Sequence, residues 1–235
     1  MKRIAWAALL CLGLLGVSAT QAVAQSEAPT GSRIGRTAGA YVPENSLMSD
    51  ADRGRATLYG FSDCTVAHST KDARAAVDQP YGDWSVFGKL AGPQFSECMN
   101  NGEIKFPFNL WRGALFRSLY VLDFGKKKWQ LPEKPTNYAR FVSDPGAEGV
   151  YFPLIAFADC VVRKDLADSR AFVVSGVATG AENRALEAIS PTFGPCLTNG
   201  LTLSFNKSTL AALLSEALYR EAQDATTQAG SGTGG

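Results

Sequence analysis

His68 is the single histidine of the chain, and with Asp63, Glu97 and Glu103 it makes up the set of side chains best suited to acid–base chemistry. A histidine base needs an orienting partner on one ring nitrogen and a nucleophile or substrate near the other. His68 stands in "VAHST", where an apolar run gives way to serine and threonine, so an exposed histidine at a helix end is the plainer account. Glu97 and Glu103 flank Cys98. A hydrolase built on two carboxylates needs them at a set separation, and this spacing imposes none. One histidine also rules out a multi-histidine metal centre. We read no catalytic residue, no metal ligand and no cofactor from the sequence.

The cysteines say more. Cys11 lies inside an apolar run near the start, and four others follow: Cys64, Cys98, Cys160 and Cys196. Zinc binding by four cysteines calls for close C-x-x-C pairs, which this chain lacks. Four cysteines allow three pairings, and an internal repeat chooses among them. "FSDCTVAHSTKDARAAV" from Phe61 and "FADCVVRKDLADSRAFV" from Phe157 agree at a constant offset of 96 in Phe, Asp, Cys, Val, Asp, Arg, Ala and Val. Pro93, Phe95, Cys98, Asn101 and Gly102 recur 98 residues later, and Leu115, Leu119 and Tyr120 recur 99 later. A tandem duplication accounts for this, with one staple per copy: Cys64–Cys98 and Cys160–Cys196. Closing a loop of about 35 residues stabilises by roughly 4 kcal/mol in the chain-entropy model. Copies this small need such a staple, because their cores are marginal.

These cysteines must be carried by elements the hydropathy pattern reveals. Leu154, Phe157, Ala158, Val161 and Val162 form the stripe of an amphipathic helix, with Pro153 placed in its first turn. Leu58, Phe61, Ser62, Thr65 and Val66 repeat that stripe in the first copy. A second helix follows each, capped by Ser69 with Asp72, and by Asp165 with Asp168. Arg74 and Arg170 sit two residues further on, where they are expected to pair with Asp63 and Asp159 of the preceding helix as structural ion pairs. Short alternating runs at 104–106 and 201–205 suggest a small two-stranded β element. A closing helix follows each run, capped by Asn109 or Ser208, with Leu210, Leu213, Leu214, Ala217 and Leu218 as its second-copy face. Gly125 is placed to end the first-copy helix.

The expected architecture is therefore mainly α: two tandem disulfide-stapled helical repeats in a pseudo-twofold arrangement that share one core. Residues 1–24 read as a signal peptide, with Lys2 and Arg3 ahead of an apolar core and Ala22-Val23-Ala24 as a cleavage site. Residues 25–42 read as a flexible segment, 43–125 as the first repeat, 126–149 as a linker, 150–221 as the second repeat and 222–235 as a disordered tail. Without Lys2 and Arg3 the chain carries 21 basic and 22 acidic residues, which argues against a nucleic-acid partner. The expected location is exported, periplasmic or extracellular, and no later apolar run is long enough to span a membrane.

The copies differ in aromatic content. The first holds Tyr81, Trp84, Phe87, Phe95, Phe106, Phe108, Trp111 and Phe116, whereas 177–215 holds Phe193 and Phe205. Trp84, Phe87, Phe106, Phe108 and Trp111 are the candidate binding face, because rigid aromatics bury much area at small entropic cost. A bulkier first core is the competing account. The linker interleaves Lys126, Lys127, Lys128, Lys134 and Arg140 with Trp129 and Tyr138, a composition suited to peripheral contact with an anionic surface. The function expected is a non-enzymatic exported binding or interaction protein of the cell envelope, with a macromolecule or peptide as partner. The alternative is a small exported hydrolase using His68 and a nearby carboxylate.

Overall fold

A computed structural model describes residues 47–90, 92–99, 105–142, 145–197 and 206–231. The proposed signal peptide, the segment 25–42, Glu103, Ile104 and the run 201–205 lie outside these residues.

Helix α1 (Asp50–His68) begins at Ser49, whose hydroxyl accepts the Asp52 amide, and Asp50 and Asp52 complement the positive end. Its expected stripe is realised, since Leu58, Phe61, Ser62, Thr65 and Val66 are all buried. One residue, Ser69, ends α1 and caps α2 (Thr70–Asp78), accepting from the Asp72 amide. The second half holds a similar hairpin. Helix α5 (Pro145–Lys164) reaches Asp165, which caps α6 (Leu166–Val174) by accepting from the Asp168 amide. Both second helices are nine residues long.

The cysteines pair as the repeat implies. Cys64 of α1 joins Cys98 in a 3-10 segment (Pro93–Met99) that follows the short helix α3 (Phe87–Leu90). Cys160 of α5 joins Cys196 in α8 (Phe193–Cys196), which follows α7 (Gly180–Ile189). Each bond brings a hairpin against the chain that precedes a closing helix: α4 (Phe108–Asp123) in the first half, α9 (Lys207–Ser231) in the second. Two disulfides are the pattern of a chain that matures in an oxidising environment.

Helix α9 packs against α4, α5 and α6, and α4 packs against α1 and α2. The buried apolar residues of both halves, among them Phe61, Leu115, Phe157 and Leu214, form one cluster. A single core therefore serves both hairpins. Gly113 of α4 makes the α4–α9 approach possible, because a Cβ there would stand 2.2 Å from the Ala212 Cβ and 2.4 Å from its Cα.

Several expected details fall elsewhere. Helix α5 starts at Pro145, not near Pro153, which is an interior proline. The cap of α9 is Asn206, accepting the Thr209 amide at 2.8 Å, and α4 starts at Phe108 behind Pro107, so neither Ser208 nor Asn109 caps a helix. No strand occurs among the described residues: 105–107 is irregular, and a lone parallel bridge joins Tyr81 to Val142. Helix α9 continues to Ser231, past the end expected at Glu221. Its continuation has a physical cause, since Ala222 is buried and Asp224 accepts from Thr136 and Arg140 of the linker. No helix among the described residues is long and apolar enough to cross a membrane.

Candidate functional site

The five aromatic residues singled out in the sequence do meet. Trp84 and Phe108 stack at 5.7 Å with 13° between their planes, and both touch Phe87 edge-on. Phe87 and Phe106 each meet Trp111 edge-on, at 5.2 and 5.4 Å. Their exposure divides them. Phe87 and Trp111 are core residues at 0% and 1% exposed, while Phe108 is 45% exposed and Trp84 and Phe106 are half-buried. The surface part of the face is thus Trp84, Phe108 and Phe106, carried on buried Phe87 and Trp111.

Phe106 continues into a groove of about 480 Å3 between the first turns of α1 and the start of α4. Leu58, Phe106, Pro107 and Leu110 supply its apolar lining, and Asp50, Arg53 and Lys105 bring charge of both signs to it. Gly54 also lines it, and a Cβ at Gly54 would meet no atom within 4 Å. Sequence reading missed this groove. Its walls come from segments some fifty residues apart, and α1 is apolar only along its buried stripe.

Of the residues considered for acid–base work, His68 and Glu97 meet, Asp63 is engaged elsewhere, and Glu103 lies outside the described residues. His68 lies at the exposed end of α1, with Nε2 3.9 Å from a Glu97 carboxylate oxygen. Asp63, more than a turn earlier, accepts from Ser118 at 2.5 Å and from Arg117 at 3.2 Å. The expected Asp63–Arg74 and Asp159–Arg170 pairs are not made. Arg74 reaches across to Asp123 at the end of α4, at 2.6 Å. Arg170 donates to the Lys127 carbonyl and lies 5.7 Å over the Trp129 ring. Both arginines thus face the end of the α4 segment and not the hairpin they belong to.

Asp159 instead joins a buried cluster that sequence reading did not foresee. It accepts from the Tyr138 hydroxyl at 2.9 Å and lies beside the Glu221 carboxyl, close enough to couple with it. Glu221 is fully buried and accepts both from Arg163 and from the Thr136 amide. Burial, and then the adjoining Glu221, push the Asp159 carboxyl up to about 7. The folded chain therefore keeps a proton that the unfolded chain releases above about pH 4, so this site's contribution to stability falls as pH rises towards 7. Asp159→Asn imitates the protonated form, able to donate to Glu221 and still accept from Tyr138. Thermal unfolding should show the variant gaining about 5 °C more at pH 8 than at pH 5. An equal shift at both pH values would contradict the assignment.

A second buried network joins the halves. Arg112 donates to Glu216 at 3.0 Å and to the Gln79 carbonyl, and Tyr151 donates to the same Glu216 oxygen at 3.1 Å. Arg220 lies between the rings of Phe116 and Phe141 and donates to the Val77 carbonyl at 2.6 Å. Arg55 of α1 pairs with Glu182 of α7. Partners 104, 127 and 143 residues apart leave no local signal in a sequence.

The basic linker is held down more firmly than its composition suggests. Arg140 pairs with Asp224, Lys127 lies over Phe124, and Trp129 donates to the Tyr120 hydroxyl. Lys126, Lys127, Lys128 and Lys134 are exposed. Lys128, Trp129 and Arg170 border an open surface depression of about 660 Å3 with Ala225 and Thr226.

Comparison with protein-family models, with curated proteins and with solved structures finds no match.

Proposed function

We propose that this is an exported, non-enzymatic binding protein of the cell envelope, and that its partner sits on the Trp84–Phe108 stack and in the adjoining groove. The observation that carries the reading is the exposed Phe108 ring, held flat on Trp84 above a buried aromatic base, next in sequence to Phe106 and Pro107, which line an apolar groove with charges of both signs at hand. A side chain this apolar loses about 25 cal/mol per Å2 of transfer free energy while it faces water, and a partner recovers that loss. A peptide or protein segment with an apolar anchor and mixed charge fits the surface. The scaffold behind it is a duplicated helical unit with pseudo-twofold character. Support comes from the two matching hairpins, each with a one-residue cap and a staple in the same place. Lys126, Lys127 and Lys128 provide a secondary contact to an anionic surface.

Affinity capture from envelope extract tests the reading, with oxidised 25–235 as bait. Trp111 is unsuited to the control because it is core, so the control is Trp84→Ala with Phe108→Ala. A further variant, Gly54→Leu, fills the groove wall, and in mid-helix it should hold or raise stability by about 0.5–1 kcal/mol. A partner held by the parent and released at least tenfold faster by both folded variants supports the proposal. Retention unchanged in both, or nothing retained by the parent, would sink it.

A further inference from the structure

The corner at the end of α1 brings together more than a disulfide. The Cys64 and Cys98 sulfurs and a ring nitrogen of His68 all lie within 4.8 Å of one another, and among the described residues this is the one such group of three possible metal ligands. Cys64 and His68 are four apart on one helix, and so share a face. Glu97, next to Cys98, places a carboxylate oxygen 3.9 Å from His68 Nε2. Phe95 meets the imidazole edge-on at 6.2 Å and packs beside it. His68 and Glu97 are exposed while the two sulfurs are buried, so an ion has an open approach and a sheltered seat. The second staple provides an internal contrast. Lys164 stands where His68 would be and Pro195 where Glu97 would be, so that corner has sulfur ligands alone.

We propose that reduction of Cys64–Cys98 turns this corner into a zinc-class site, with Cys64, Cys98 and His68 as ligands and Glu97 as the fourth. A thiol reductant supplies two electrons and two protons: the S–S bond breaks, two Cys–SH groups form, and the reductant becomes its own disulfide. A divalent ion then displaces both thiol protons and takes one imidazole lone pair. Zinc holds sulfur at about 2.3 Å and nitrogen at about 2.0–2.1 Å in a tetrahedron, whose edges of some 3.3–3.8 Å these atoms reach by small side-chain movements. Two thiolates and an imidazole are the borderline-soft set that favours zinc over calcium or magnesium. The oxidised chain has no thiolate to offer and takes no ion here.

The test is zinc titration of the full chain, oxidised and phosphine-reduced, against a chromophoric chelator, with cobalt as an optical reporter and helicity followed throughout. One equivalent should bind to the reduced form and none to the oxidised. Cobalt should give thiolate charge-transfer absorption together with tetrahedral d–d bands. His68→Ala should weaken binding by at least about tenfold. Cys160→Ser with Cys196→Ser should leave the single equivalent in place. The proposal is overturned if reduced chain binds no zinc, if both cysteine pairs bind alike, or if His68→Ala changes nothing. It is equally overturned if reduction unfolds the chain and zinc does not restore its helicity.

Discussion

Glu216→Ala should lower the stability of the folded chain by about 3–5 kcal/mol, enough to bring the unfolding midpoint down by on the order of 10 °C. Glu216 is 4% exposed and holds two buried donors at once, Arg112 and the Tyr151 hydroxyl. Truncation leaves the Arg112 guanidinium, itself 1% exposed, with the Gln79 carbonyl as its remaining hydrogen-bond partner, and strands a phenol stacked 4.6 Å from Tyr81. The loss measures the unpaired charge and not the worth of the pair. Replacing both members with apolar residues, as in Arg112→Met with Glu216→Leu, should therefore restore most of the stability. Chemical denaturation of the two single variants and the double closes the cycle. Additive losses would show that the two residues do not act together.

Gly113→Ala should destabilise by about 3 kcal/mol or more, against the ordinary preference for alanine inside a helix. Glycine to alanine in mid-helix normally gains up to about 1 kcal/mol, and Gly54→Ala on the open side of α1 should show that gain. At Gly113 the new methyl falls on the backbone of α9 as well as on the Ala212 side chain, so no rotamer change relieves it. The two helices must separate along the seam that unites the halves. Ala212→Gly in the same chain should rescue only part of the loss, because the Ala212 Cα remains 2.4 Å from the added atom. Full rescue, or no loss in the single variant, would place the close approach elsewhere.

Much of the scaffold could be read in advance because its signals are local. Stripes at Leu58–Val66 and Leu154–Val162 need only one helical period, and the caps at Ser69 and Asp165 need only three residues. The cysteine pairing was readable for a different reason: the sequence match between the two halves supplied the comparison that spacing alone lacks. The misassigned ion pairs share one cause. Arg74, Arg170 and Asp159 were assigned partners within their own hairpin, whereas the third dimension offered Asp123, the Lys127 carbonyl, Tyr138 and Glu221. Helix α9 is buried from Leu214 through Ala222 irrespective of helical phase, polar residues included, so an amphipathic template could not describe it. Aromatic enrichment in the first half did mark a real cluster. Composition could not separate Phe108, at the surface, from Trp111, beneath it.

The two staples also bear on how the chain comes into being. Each joins cysteines that are neighbours in order of appearance, Cys64 to Cys98 and Cys160 to Cys196. A chain emerging N-terminus first presents Cys98 to Cys64 at least sixty residues before Cys160 arrives. Among Cys64, Cys98, Cys160 and Cys196, an oxidase that simply joins each new thiol to the last free one makes both native bonds, with no wrong bond to undo. Formation of these two bonds in that order requires no isomerisation step, which takes seconds to hours. The first hairpin can thus be locked before the second half exists, leaving the α4–α9 seam as the last thing to form.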